Sequence, residues 1–152
     1  MEKVEQKYTN RSVTHPVTQD PGITDQHGRS FNYLRIAVNE KCNLRCIYCM
    51  PEKGISFEPQ DKLLTRKEVI RVIQVVAKLG VNKIRFTGGE PLLRKDLVEL
   101  VSGAAETPGI DSINLTTNGI LLANSAKSLK DGGLTGVNVS IDTLEKEKYT
   151  EI

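Results

Sequence analysis

The chain has 152 residues, 38% of them apolar and 26% charged, and 21 basic side chains nearly cancel 19 acidic ones to leave a net charge of +2. That length suits one compact domain better than two. The balance excludes a disordered acidic tail, a collagen-like repeat and a strongly basic nucleic-acid binder. Apolar stretches such as Val69 to Val76 are broken by Arg71 and Gln74, so none approaches the roughly 18 uninterrupted apolar residues of a membrane span. The opening Met1-Glu2-Lys3-Val4-Glu5-Gln6 has no apolar core, and its acidic residues argue against a transit peptide. A cytoplasmic protein with neither membrane nor nucleic acid as partner is the expectation.

In chain order, residues 1–30 are polar, contain Pro16 and Pro21 and show no hydrophobic period, which predicts an extended or mobile arm. The folded domain is expected over residues 31–152. Its strands are predicted at Tyr33 to Val38, Lys83 to Thr87, Ser112 to Thr116 and Gly136 to Ile141, the last three separated by the length of a crossover helix. The first helix is the best signed: Thr65 and Glu68 have capping-box spacing, with Leu64 and Val69 as a staple. Val69, Val72, Ile73 and Val76 then form one stripe, and Gly80 supplies a left-handed stop. Leu97, Leu100, Val101 and Ala104 repeat the spacing before Pro108-Gly109, a third helix runs from about Leu122 to Asp131, and a fourth begins near Thr143.

The strands alternate. Leu34, Ile36 and Val38 oppose Tyr33, Arg35 and Ala37; Ile84 and Phe86 oppose Arg85 and Thr87; Ile113 and Leu115 oppose Asn114 and Thr116; Val137, Val139 and Ile141 oppose Asn138 and Ser140. One face is built for helices and the other is polar. Since a closed (β/α) barrel fills its interior with branched apolar side chains, a polar lumen predicts an α/β fold of parallel strands in an incomplete or widened barrel around a ligand. An antiparallel sheet with one solvated face is the alternative, disfavoured by the helices between strands.

All three cysteines, Cys42, Cys46 and Cys49, follow the first strand directly, at the carboxyl end where such folds place their chemistry. Three thiolates can hold three irons of a [4Fe-4S] cubane and leave the fourth iron open to a chelating small molecule. A structural zinc would need a fourth ligand, and His15 and His27 both lie in the arm. A dithiol site at Cys46 and Cys49 would leave Cys42 unexplained. Gly88-Gly89-Glu90-Pro91 ends the second strand; paired glycines let backbone approach a ligand, and Glu90 or free peptide groups can hold an ammonium.

The C-x3-C-x2-C loop with Tyr48 before its last cysteine, together with Gly88-Gly89-Glu90-Pro91, resembles the radical S-adenosylmethionine (SAM) enzymes. Gly28-Arg29, Tyr33-Leu34-Arg35-Ile36, Cys49-Met50-Pro51-Glu52, Lys83 to Pro91, Thr116-Thr117-Asn118-Gly119 and Asn138 to Asp142 resemble, in order, the GTP 3',8-cyclase family of molybdenum cofactor biosynthesis (the MoaA family). The resemblance implies that Cys42, Cys46 and Cys49 ligate the cluster. It implies contacts to S-adenosylmethionine from Tyr48, Gly89 and Ser140, and to GTP from Arg35, Arg85 and Thr116. Two guanidiniums on one lumen face are costly unless an anion joins them, and a triphosphate is such an anion. Asp142, at the end of the fourth strand, reads either as lining the site or as capping the next helix, with the cap preferred.

By the same resemblance the activity is that of a lyase. A reduced cluster cleaves S-adenosylmethionine, and the 5'-deoxyadenosyl radical takes the ribose 3' hydrogen of GTP, giving (8S)-3',8-cyclo-7,8-dihydro-GTP. An electron donor such as flavodoxin or ferredoxin is implied, and a homodimer of the full-length form is left open. Family members run about as long again, closing a six-stranded partial (β/α)6 barrel and adding a second [4Fe-4S] cluster. The chain therefore reads as the N-terminal part of that core, expected at most to bind the first cluster and S-adenosylmethionine and to cyclise little or no GTP alone. A peptide-modifying member of the superfamily and a non-catalytic metal-binding module are the competing readings.

Overall fold

Helix α1 (Arg66–Lys78) forms where its ends are best satisfied. Thr65 and Glu68 close a reciprocal capping box, the Glu68 carboxylate accepting from the Thr65 backbone N–H at 2.7 Å. At the other end Val81 N–H reaches Val76 O and Gly80 N–H reaches Ala77 O, a Schellman stop made possible by Gly80 at φ +91°. Val69 and Ile73 are buried, but Val72 is 41% and Leu64 52% exposed. The stripe is thus narrower than its spacing suggests, and the staple is loose.

The computed structural model describes residues 22–49, 54, 56–59 and 62–149. Strands β1 (Ile23–Thr24) and β2 (Ser30–Phe31) form an antiparallel hairpin. Strands β3 (Tyr33–Ala37), β4 (Lys83–Thr87), β5 (Ser112–Thr117) and β6 (Gly136–Val139) form one sheet in that order, every neighbouring pair parallel. Helix α1 connects β3 to β4, α2 (Leu97–Ala105) connects β4 to β5, and α3 (Leu122–Asp131) connects β5 to β6. A short α4 (Lys146–Tyr149) follows. This is the expected α/β arrangement.

Within the expected arm of residues 1–30, the described residues 22–30 carry β1 and the first residue of β2. Asp25 accepts the backbone N–H groups of His27 and Arg29 and the Arg29 Nε–H, an Asx-type turn. Ile23 N–H bonds Leu79 O, tying the hairpin to the end of α1. The rest of the expected arm, residues 1–21, lies outside the described residues, as do Met50, Pro51 and Glu52.

Ile84, Phe86, Ile113 and Leu115 are almost fully buried against Val69, Ile73, Leu97, Leu100, Val101, Ala104 and Leu129. Each large side chain there contributes about 1.5–3 kcal/mol. Helix α2 ends at Ala105, three residues before Pro108, where Thr107 is buried and its hydroxyl donates to Gly103 O. The last strand departs from expectation: Val137, Val139 and Ile141 are 41%, 48% and 52% exposed. Val137 and Val139 lie in the edge strand β6, Ile141 lies beyond its end at Val139, and all three are left uncovered among the described residues.

The opposite face is mostly polar. Register places Tyr33 beside Lys83 and Ser112 in one row, and Arg35 beside Arg85, Asn114 and Gly136 in the next.

Candidate active site

Beyond the carboxyl ends of the strands lies a cavity of about 320 Å3. The loop after β3 supplies Cys42, Cys46, Tyr48 and Cys49; the β4 end supplies Thr87, Gly88 and Gly89; the β5 end supplies Thr116, Thr117 and Asn118; and Ser140 and Asp142 come from beyond β6. Residues the sequence spread over a hundred positions share one wall because all four strands point the same way.

The cysteine loop is stitched to the Gly-Gly turn by main-chain bonds. Val38 N–H donates to Thr87 O, Gly89 N–H to Asn39 O and Glu90 N–H to Lys41 O, at 2.8, 2.9 and 2.8 Å. The contact is too close for side chains: a Cβ on Gly88 would stand 2.4 Å from Asn39 O, and one on Gly89 2.3 Å from Lys41 O. The glycines first serve the loop that carries the sulfurs.

Glu90 is fully buried. One carboxylate oxygen accepts from Leu92 N–H (3.0 Å) and the Thr117 hydroxyl (2.7 Å), and the other from Asn118 N–H (2.8 Å). Its carbonyl accepts from Asn39 Nδ2 at 2.8 Å. Of the two ways in which this turn was read to hold an ammonium, the Glu90 carboxylate is therefore spent, binding β4, β5 and the cysteine loop together.

Cys42 and Cys46 are half-buried, Cys49 is exposed, and all are free thiols. Cys42 Sγ accepts from Leu44 N–H at 3.4 Å and from Asn118 Nδ2 at 3.9 Å. Among the described residues no three His, Cys, Asp or Glu side chains converge on a single metal ion. Three soft sulfurs around one cavity suit a multi-iron cluster, in which each thiolate reaches only its own iron.

Tyr48, 68% exposed, donates its hydroxyl to an Asp142 carboxylate oxygen at 2.8 Å, which pushes the phenol above its ordinary value. Of the two readings of Asp142 the structure favours the lining one over the preferred cap: it lines the cavity, and it is the Thr143 hydroxyl that accepts Glu145 N–H ahead of α4. Ser140 N–H is bound to Thr117 O at 2.8 Å.

Arg35 and Arg85 are in direct register and lie outside this cavity, Arg85 two residues, about 7 Å, before Thr87 on the same face. Arg85 Nη1 donates to Thr116 Oγ1 at 3.1 Å, and its guanidinium carbon is 6.0 Å from the Tyr33 ring centroid. Its Nε is buried without a partner. Neither arginine is paired with a carboxylate among the described residues.

The resemblance spans Thr117 and Asn118 but assigns them no role. An Asx-Gly pair closing a strand, Asn118-Gly119, was the available signal.

The chain matches the Radical SAM superfamily over residues 36–152. It is 53% identical over 130 residues to a GTP 3',8-cyclase of Pelotomaculum thermopropionicum, covering 86% of this chain and 40% of that protein. It is 45% identical over 142 residues to the molybdenum cofactor biosynthesis protein moc-5 of Caenorhabditis elegans, covering 93% of this chain and 24% of the relative. The chain thus spans only a quarter to two fifths of the length of these relatives. Among solved structures, BtrN in complex with AdoMet and 2-DOIA aligns with a TM-score of 0.58 at 23% identity, over 79% of this chain and 50% of that one. BtrN in an open conformation aligns with a TM-score of 0.57 at 24% identity, over 80% and 55%. That likeness concerns the fold, a parallel sheet with crossover helices forming part of a partial barrel. With the match running from the end of β3 through β6 and over every residue of the cavity, the chain belongs to the radical SAM superfamily.

Proposed function

We propose that this chain carries the cluster- and S-adenosylmethionine-binding part of a GTP 3',8-cyclase of molybdenum cofactor biosynthesis. One observation carries the reading: three free thiols, the Gly88-Gly89 turn and Ser140 meet at one cavity, beside two arginines that no carboxylate among the described residues neutralises. The names of the 44–53% identical bacterial relatives support it.

In this reading residues 31–152 are the core and residues 1–30 an appendage. Cys42, Cys46 and Cys49 hold a [4Fe-4S] cluster, and Tyr48, Gly89 and Ser140 hold S-adenosylmethionine against it. When bound, the pair supplies the radical that removes the 3' hydrogen of the GTP ribose. The chain's own work is positional. Glu90 locks the cysteine loop to β5. Arg35 and Arg85 draw the triphosphate onto the polar face, and Thr116 fixes the Arg85 guanidinium through their hydrogen bond. Placing β3 and β4 side by side holds both cations on rigid elements rather than on loops. A second cluster, a flavodoxin- or ferredoxin-type reductant and a homodimer belong to the same proposal for the longer relatives.

Anaerobic reconstitution tests it. About four irons with sulfide per chain, and an electron paramagnetic resonance (EPR) signal of the dithionite-reduced protein that shifts on adding S-adenosylmethionine, are the expected results. One zinc and no sulfide would overturn the reading.

A further inference from the structure

The Asn118 side chain is held at both ends. Its Oδ1 accepts Ile120 N–H at 3.1 Å, which settles the orientation of the amide, and its Nδ2 donates to Asn43 Oδ1 at 2.8 Å. Its backbone N–H is fixed on the buried Glu90 carboxylate. The amide hydrogens therefore face the cysteine loop, with Nδ2 3.9 Å from Cys42 Sγ.

We propose that Asn118 is a positioning residue that donates an N–H to the Cys42 sulfur and so sets how readily a cluster held there accepts an electron. This rests on the cluster reading above. A neutral thiol is a weak acceptor, so 3.9 Å is the outer reach of such a bond. A metal-bound thiolate is anionic, and charge shortens and strengthens the bond. Reduction adds negative charge to the cluster, so a donor on a ligand sulfur favours the reduced form; hydrogen bonds to the sulfurs are among the levers that set such potentials. The donor is locked by contacts to Glu90 in the turn after β4 and to the cysteine loop itself, so it is in place before any ligand arrives.

The test is an EPR-monitored redox titration of the reconstituted chain beside its Asn118→Leu variant, which loses the amide at nearly the same volume. At a fixed potential the reduced-to-oxidised ratio should fall about three- to tenfold in the variant, because the bond is present in both oxidation states and only the part of its strength gained on reduction is read. Asn118→Asp, which keeps the shape and reverses the dipole, should lower it at least as far. A full cluster with an unmoved midpoint in both variants overturns the inference while leaving the cluster reading intact. Should neither variant fold, pulsed EPR of the wild-type chain labelled with nitrogen-15 at the asparagine side-chain amide decides: a coupling to the reduced cluster supports the inference, and its absence overturns it. A wild-type chain that takes up no iron and sulfide overturns the cluster reading and this inference together.

Discussion

Gly89→Ala separates two reasons for the paired glycines, approach of a ligand and approach of the cysteine loop. The added methyl would sit 2.3 Å from Lys41 O and 2.5 Å from Glu40 O. Even weak C–H···O contacts keep carbon and oxygen about 3.3 Å apart, so the loop must retreat by about 1 Å. Retreat strains the Gly89–Asn39 and Glu90–Lys41 main-chain bonds, now 2.9 and 2.8 Å. Each is worth about 0.5–1.5 kcal/mol, and forced repacking adds about 1–3 kcal/mol. The expected loss is about 2–6 kcal/mol, a large part of the 5–15 kcal/mol that holds a typical domain together. Gly89 is not among the glycines with positive φ, so backbone strain does not confound the result. Urea unfolding of the metal-free chain reads it as a lower midpoint with little change in slope. An unchanged midpoint, with only S-adenosylmethionine binding lost, would refute the argument that the loop demands glycine here.

The remaining expectations concern charge. Arg35→Ala and Arg85→Ala should each weaken GTP binding roughly tenfold to a hundredfold, as one or two charge-assisted contacts are lost; calorimetry on the reconstituted chain measures this, and unchanged affinity in both points to another substrate class. Asp142→Asn should bring the Tyr48 phenol back down toward 10.0, because the acceptor that raises it is neutralised; difference absorbance of the phenolate against wild type reads the change. Asp96 is held below its ordinary 3.8, chiefly by the Arg94 side chain at 2.8 Å. A depressed carboxyl stabilises the fold above the unfolded value and loses that contribution as pH falls through the folded one. Wild type should therefore exceed Asp96→Asn by at most about 1 kcal/mol above pH 5, screened by solvent, and the gap should close as pH drops below 3.8. Urea midpoints across that range check it.

Local chemistry made much of this protein legible before any coordinates. A capping box, a glycine stop and a two-residue alternation act over a handful of neighbours, so Thr65, Gly80 and the β3 to β5 strands fall where the sequence puts them. The polar lumen face follows from strand period alone, and parallel strands then carry the cysteines and the Gly-Gly turn to one end. What tertiary structure decided depends on partners far away in the chain. Whether Val139 is covered depends on where α3 lies, and whether Val72 is buried depends on the width of the groove above the sheet. Glu90 reads as a ligand-binding acid until Thr117 and Asn118, 27 and 28 residues on, occupy both of its oxygens. The cap is the preferred reading of Asp142 until Tyr48, 94 residues earlier, proves to be its partner. A hydrogen bond between side chains is set by sheet register and loop path to within about half an ångström, and no local pattern carries that distance. Residue type is written in the sequence; which polar groups remain free for a ligand is settled only after the fold has used the others.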